Sequence, residues 1–120
     1  MSLNSLPNDL AQYINYEEGL ARVRNNKKIY SKTLELFSET DEFDNMRRAV
    51  DDNDLDAAAH AAHSLKGMAG NLSIVKIYHL CTILQDEFEA GERNDENIAA
   101  LFEAADKTQQ YVLLLIQALM

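Results

Sequence analysis

Apolar residues return every three or four positions along most of this chain, and that spacing commits it to helices. Ile29, Tyr30, Thr33, Leu34, Leu36 and Phe37 follow it, and Phe43, Met46 and Val50 continue the stripe. Ile74, Ile77, Cys81, Leu84 and Phe88 share one face of a helix predicted from about Ser73 to Ala90. Ile98, Leu101, Phe102, Ala105, Thr108, Val112, Leu115 and Leu119 do the same in the last segment. A short helix from about Tyr16 to Val23 precedes them, with Leu20 and Val23 inward. Polar breaks fall at Asn25-Asn26, at Asp51 to Asp54 and at Asn94-Asp95, each with a residue able to cap a helix. Glu39-Thr40-Asp41 bends or interrupts the second segment, and Gly91 is a stop signal. One proline and four glycines leave little room for the turns of a β fold. Such helices bury their stripes most simply against one another. The reading is all-α: an antiparallel four-helix bundle with a short additional N-terminal helix. It is one domain over residues 1–120, with 1–8 a loose N-terminal lead-in bounded by Pro7 and 9–15 weakly patterned.

Charge and cysteine content narrow the function. The formal net charge is -9, from 11 Lys and Arg against 20 Asp and Glu. Binding nucleic acid needs a basic face to displace counterions, so no nucleic-acid partner is expected. An anionic membrane surface is disfavoured on the same ground. The apolar run from Tyr111 to Ile116 is far shorter than the roughly 20 residues that span a bilayer. The chain has one cysteine, Cys81, which points to a reducing compartment, and no signal peptide is visible. A soluble cytoplasmic protein is the expectation, and a self-contained bundle predicts a monomer.

The stretch from Ala58 to Asn71 stands apart. It is alanine-rich and should be helical, yet it carries His60, His63, Lys66, Gly67 and Gly70. Each interior glycine costs a helix roughly 1 kcal/mol relative to alanine. At about 100° per residue, Leu55, Ala58, Ala62, Leu65, Ala69 and Leu72 form the inward stripe. His63 then lies roughly 130° from the centre of that stripe, toward solvent, and His60 lies about opposite the core. The wheel neighbours of His63 are Ala59, Gly67 and Gly70, all small, with Asp56 in line two turns back. Lys66, three residues on, can swing its ammonium toward anything attached to the ring. A neutral imidazole is a nucleophile, and a phosphoryl group placed on it would gain from a nearby cation. In-line phosphoryl transfer demands close approach, which a rim of small residues allows. Plainer readings stand beside this one. An exposed histidine is often only solvated. His60 and His63 at i, i+3 can clip a metal, with Asp56. The glycines can serve helix packing. His79 reads as a surface residue. No phosphate-cradling glycine loop for a nucleotide is present in the sequence.

The segment Ala62-His63-Ser64-Leu65-Lys66-Gly67, followed by Ala69-Gly70-Asn71-Leu72, closely resembles the signature of histidine-containing phosphotransfer (HPt) domains. Glu18 to Val23, Ile29-Tyr30 and Leu34 to Phe37 also resemble the family's N-terminal portion. The resemblance spans about Tyr16 to Gly91, and the last helix only generically. It implies a covalent phosphoryl carrier in a multistep two-component phosphorelay, with no kinase or nucleotide site of its own. His63 would be the phosphoryl acceptor, Lys66 would stabilise the phosphoryl group, and Ala59, Gly67 and Gly70 would form a small docking rim. Gln85, on the next helix, would hydrogen-bond the imidazole. The implied partners are receiver domains of a hybrid sensor kinase and of a response regulator. No cofactor of its own is implied, and magnesium is expected on the partner receiver. Two positions depart from the pattern: Ser73 stands where glycine is common and Met68 where a small residue is usual. The rival reading is a helical interaction module that binds a receiver or another partner without phosphotransfer.

Overall fold

The computed structural model describes residues 2–120. Two 3₁₀ turns, Leu3–Ser5 and Asn8–Gln12, precede six α-helices. These are α1 (Tyr16–Arg22), α2 (Lys27–Ser38), α3 (Glu42–Asp51), α4 (Leu55–Leu72), α5 (Val75–Glu89) and α6 (Asp95–Leu119). Among the described residues there is no strand. The helices close a ring in which α4 packs on α3 and α5, α5 on α6, and α6 on α2. The chain is thus an all-α bundle with α2 and α3 forming one broken arm, and α1 is the short additional helix. The break comes at Glu39 to Asp41, where Thr40 Oγ1 accepts the Glu42 amide at 3.3 Å.

Side chains predicted to cap helices do so. Asp54 accepts the Ala57 amide at 3.1 Å, Asn26 that of Ile29 at 3.1 Å, and Asn94 that of Asn97 at 3.1 Å. Each such cap contributes about 1 kcal/mol. The C-terminal ends are less conventional. α1, α3, α4 and α5 all end in a left-handed residue, at Arg24, Asn53, Ser73 and Gly91. In each, the following amide bonds a carbonyl five residues back, as in Ile74 to Ala69 at 2.9 Å and Glu92 to Glu87 at 2.8 Å. Only one of the four positions is a glycine. Ser73 therefore ends α4 rather than starting α5, whose first residue is Val75.

Residues 2–8 of the N-terminal lead-in and the weakly patterned stretch 9–15 pack onto the bundle rather than lying loose. Leu10 and Ile14 are fully buried, and Leu3 and Leu6 pack against the core. Tyr13 meets Tyr111 edge to face at 5.5 Å, and Tyr111 donates its hydroxyl hydrogen to Asp9. Met1, also part of that lead-in, lies outside the described residues. The segment goes on to clamp the turn between α4 and α5. The Asn15 amide bonds Ser73 O at 2.9 Å, and Ser73 Oγ donates to Glu18 Oε1 at 2.7 Å. Tyr30 completes this joint: its hydroxyl donates to Leu72 O at 2.8 Å from a fully buried position. Gly19 makes the joint possible, since a Cβ there would lie 2.5 Å from the Tyr30 hydroxyl. At the opposite end, Arg93 Nη1 donates to Val50 O at 2.7 Å and ties the α5–α6 loop to α3.

Candidate functional site

The buried face of α4 comprises Ala58, Ala61, Ala62, Leu65, Ala69 and Leu72. Ala61 joins the stripe, and Leu55 is only half-buried. This orientation leaves His60, His63 and Gly67 exposed. Alanines on the buried face let neighbouring helices lie close, and α4 and α5 frame a shallow cleft of about 390 Å³. Its walls are Asp56, Ala59, His60 and His63 from α4 with Gln85 and Glu89 from α5. The structure thus brings Gln85 and Ala59 to the same depression as His63.

Gln85 is half-buried, and its amide is asymmetrically satisfied. Nε2 donates to Glu89 Oε1 at 2.8 Å, whereas Oε1 is buried with no hydrogen-bond partner. Gln85 and His63 are not hydrogen-bonded to each other in this structure. Lys66 is half-buried and takes part in no ion pair or side-chain hydrogen bond among the described residues, so its ammonium is uncommitted. Asp56 sits in the first turn of α4, where a carboxylate favourably meets the helix dipole.

The two glycines of α4 play different parts. A Cβ at Gly67 would meet nothing within 4 Å, so helix packing does not require glycine there. A Cβ at Gly70 would lie 3.2 Å from two ring carbons of Tyr78. Gly70 lets the Tyr78 ring lie across α4, in a second depression shared with Glu18, Arg22 and Ser73. It does not border the His63 cleft. Met68 faces the other way, into an apolar cavity of about 380 Å³ bounded by Val23, Tyr30, Leu36 and Phe37. His79 is exposed on α5. Among the described residues no group of three or more His, Cys, Asp or Glu side chains could hold a metal ion. His60 and Asp56 line the cleft together with His63. Sequence reasoning passed over Glu89. Its signal was the i, i+4 spacing from Gln85 on one helix face.

The family model for the Hpt domain matches residues 34–119, well over half of the chain. The chain belongs to the Hpt domain family. No curated protein and no solved structure matches it. Hpt domains are helical bundles that serve histidine phosphotransfer in phosphorelays and interact with receiver domains. The match takes in α3 to α6 and the C-terminal part of α2 from Leu34 on, so the last helix, generic by sequence, lies within the Hpt region. α1 and the start of α2, which also resembled the family by sequence, lie outside it. An Hpt domain is a phosphocarrier, and among the described residues no helix is long and apolar enough to cross a membrane.

Proposed function

We propose that His63 is the phosphoryl acceptor of a multistep phosphorelay, receiving the group from a receiver-domain aspartate and passing it to a second receiver. The observation that carries this reading is an exposed imidazole at the α4–α5 cleft, followed by an uncommitted Lys66 and an open Gly67 in a chain of this family. In the forward step the ring nitrogen without a hydrogen attacks phosphorus in line. The N–P bond forms as the P–O bond to the aspartate breaks, and the aspartate leaves as a carboxylate. The ring's other nitrogen keeps its proton. The Lys66 ammonium offsets the new phosphoryl charge. The return step to a second receiver reverses these bonds. Magnesium, with most of the transition-state charge stabilisation, belongs to the receiver.

Ala59 and Gly67 serve as a low rim over which the receiver docks. Gly70 contributes further along the same side by letting Tyr78 lie flat. The partners are receiver domains of a hybrid sensor kinase and of a response regulator. The carrier acts as a cytoplasmic monomer without kinase activity; the inward faces of α4, α5 and α6, covered within one bundle, support the monomer.

The test is incubation with a phosphorylated receiver. Label that is acid-labile, base-stable and lost in His63→Gln is the expected result. Unlabelled wild-type protein with several receivers would favour the pure interaction module, and full label in His63→Gln would move the acceptor elsewhere.

A further inference from the structure

The Gln85 amide is held in one orientation, and the reason lies outside the α4 motif. Glu89 ends α5 one turn beyond Gln85. A carboxylate only accepts hydrogen bonds, so the Gln85 group that faces it must be the NH₂. The observed Nε2 to Oε1 distance of 2.8 Å fits that assignment. Flipping the amide would set two acceptors face to face and bury an unpaired NH₂. Glu89 therefore fixes the carbonyl on the buried side, where Gln85 Oε1 lacks a partner.

An unpaired buried acceptor is costly and calls for a donor. Among the groups that share the cleft, Asp56 and Glu89 are acceptors and the Ala59 side chain is neither donor nor acceptor. Only His60 and His63 carry an N–H there. Gly70, which touches Tyr78 of α5, marks the side of α4 that faces α5. His63 shares that azimuth to within about 20°, whereas His60 is rotated about 60° further from α5. Of the two, His63 is the better placed by azimuth to offer an N–H to Gln85 Oε1.

We propose that Glu89 is a positioning residue for His63: by holding Gln85 Nε2 it presents Gln85 Oε1 to one imidazole N–H and leaves the other ring nitrogen free to attack phosphorus. An inverted amide would present its NH₂ to the ring instead. That would favour the tautomer whose lone pair is tied up in the cleft and whose N–H faces the receiver. Glu89 touches neither the ring nor the phosphoryl group in this scheme. It acts only through Gln85. The inference rests on His63 being the acceptor.

The decisive measurement is the tautomer of the His63 ring in unphosphorylated protein, read from long-range ¹⁵N–¹H correlations at mildly alkaline pH. The His63 signal is identified by its loss in His63→Gln. Wild type is expected to show one dominant tautomer, and Glu89→Ala a mixture. Phosphoryl uptake by Glu89→Ala should slow roughly three- to tenfold, the worth of one hydrogen bond. Its thermal midpoint should stay near wild type, because Glu89 is exposed at a helix end. In a Gln85→Ala background, Glu89→Ala should add no further loss. An unchanged tautomer in Glu89→Ala, or an equal loss of rate with and without Gln85, overturns the proposal. Failure of the acceptor assignment would appear separately, as label retained in His63→Gln, and would leave the tautomer result readable.

Discussion

At the residue scale, Gly67 and Gly70 look alike in sequence and differ in what surrounds them. Gly67 has open space where a side chain would go, so the fold does not need it to be glycine. Gly67→Leu should fold at least as well as wild type, gaining up to about 1 kcal/mol of helix propensity. If the rim must stay low for a receiver, the same variant should lose most phosphoryl uptake. Comparing urea midpoints with transfer rates checks both halves, and a folded variant with wild-type transfer would remove Gly67 from the docking surface. Gly70→Leu should gain less stability than Gly67→Leu, because its side chain must first shift the partly exposed Tyr78 ring, which lies 3.2 Å from the Cβ position. Gln85 shows the limit of reading single residues. The family resemblance singled it out, but the direction of its amide depends on Glu89 and on burial of its carbonyl.

At the scale of the element, helix starts were easier to read than helix ends. Asn26, Asp54 and Asn94 are caps whose side-chain chemistry is visible in the sequence. Of the left-handed ends, only Gly91 announces itself. Arg24 and Ser73 adopt φ values of 55° and 58° that residues with a Cβ avoid. Ser73 is held there by its bond to Glu18, by the Arg22 Nε donor at 3.3 Å and by the Asn15 amide on its carbonyl. Ser73→Ala keeps the strain and loses the side-chain bonds, so it should destabilise by about 1–2 kcal/mol in chemical denaturation. Arg24→Gly should stabilise by up to about 1 kcal/mol, since exposed Arg24 makes no side-chain hydrogen bond or ion pair among the described residues. A loss of stability in Arg24→Gly would mean that the left-handed turn is not strained there.

At the scale of the whole molecule, two buried ionisable groups couple the fold to alkaline pH. Burial pushes the Cys81 thiol up to about 12 and raises the Tyr30 phenol above its ordinary value. Both are neutral acids inside the fold, and both ionise more readily in the unfolded chain. Their contribution is therefore complete below the unfolded values, near pH 9 to 10, and is lost as the pH rises from there toward the folded ones. Urea midpoints should be insensitive to these two groups between pH 7 and 8.5 and should fall above about pH 9. Cys81→Ala should make that fall shallower, and an equal slope in wild type and variant would exclude Cys81 as a source. Tyr30→Phe would leave Leu72 O without its 2.8 Å partner and should cost about 1–3 kcal/mol by loosening α2 from the end of α4.

The sequence by itself determined the helices, the bundle and the exposure of His63, because helical period reports which side of a segment faces inward without reference to its neighbours. The inward stripe of α4 was legible for the same reason, as was the short helix ahead of the bundle. Only the tertiary structure decided that residues 3–14 fold onto the core, where the deeply buried Leu10 and Ile14 keep a helical spacing but are too few to establish a period. It alone separated Gly67 from Gly70, placed Met68 against α2, and set Gln85 and Glu89 beside His63. Those facts concern which surfaces of different helices meet, and that is fixed by how the whole set of side chains packs.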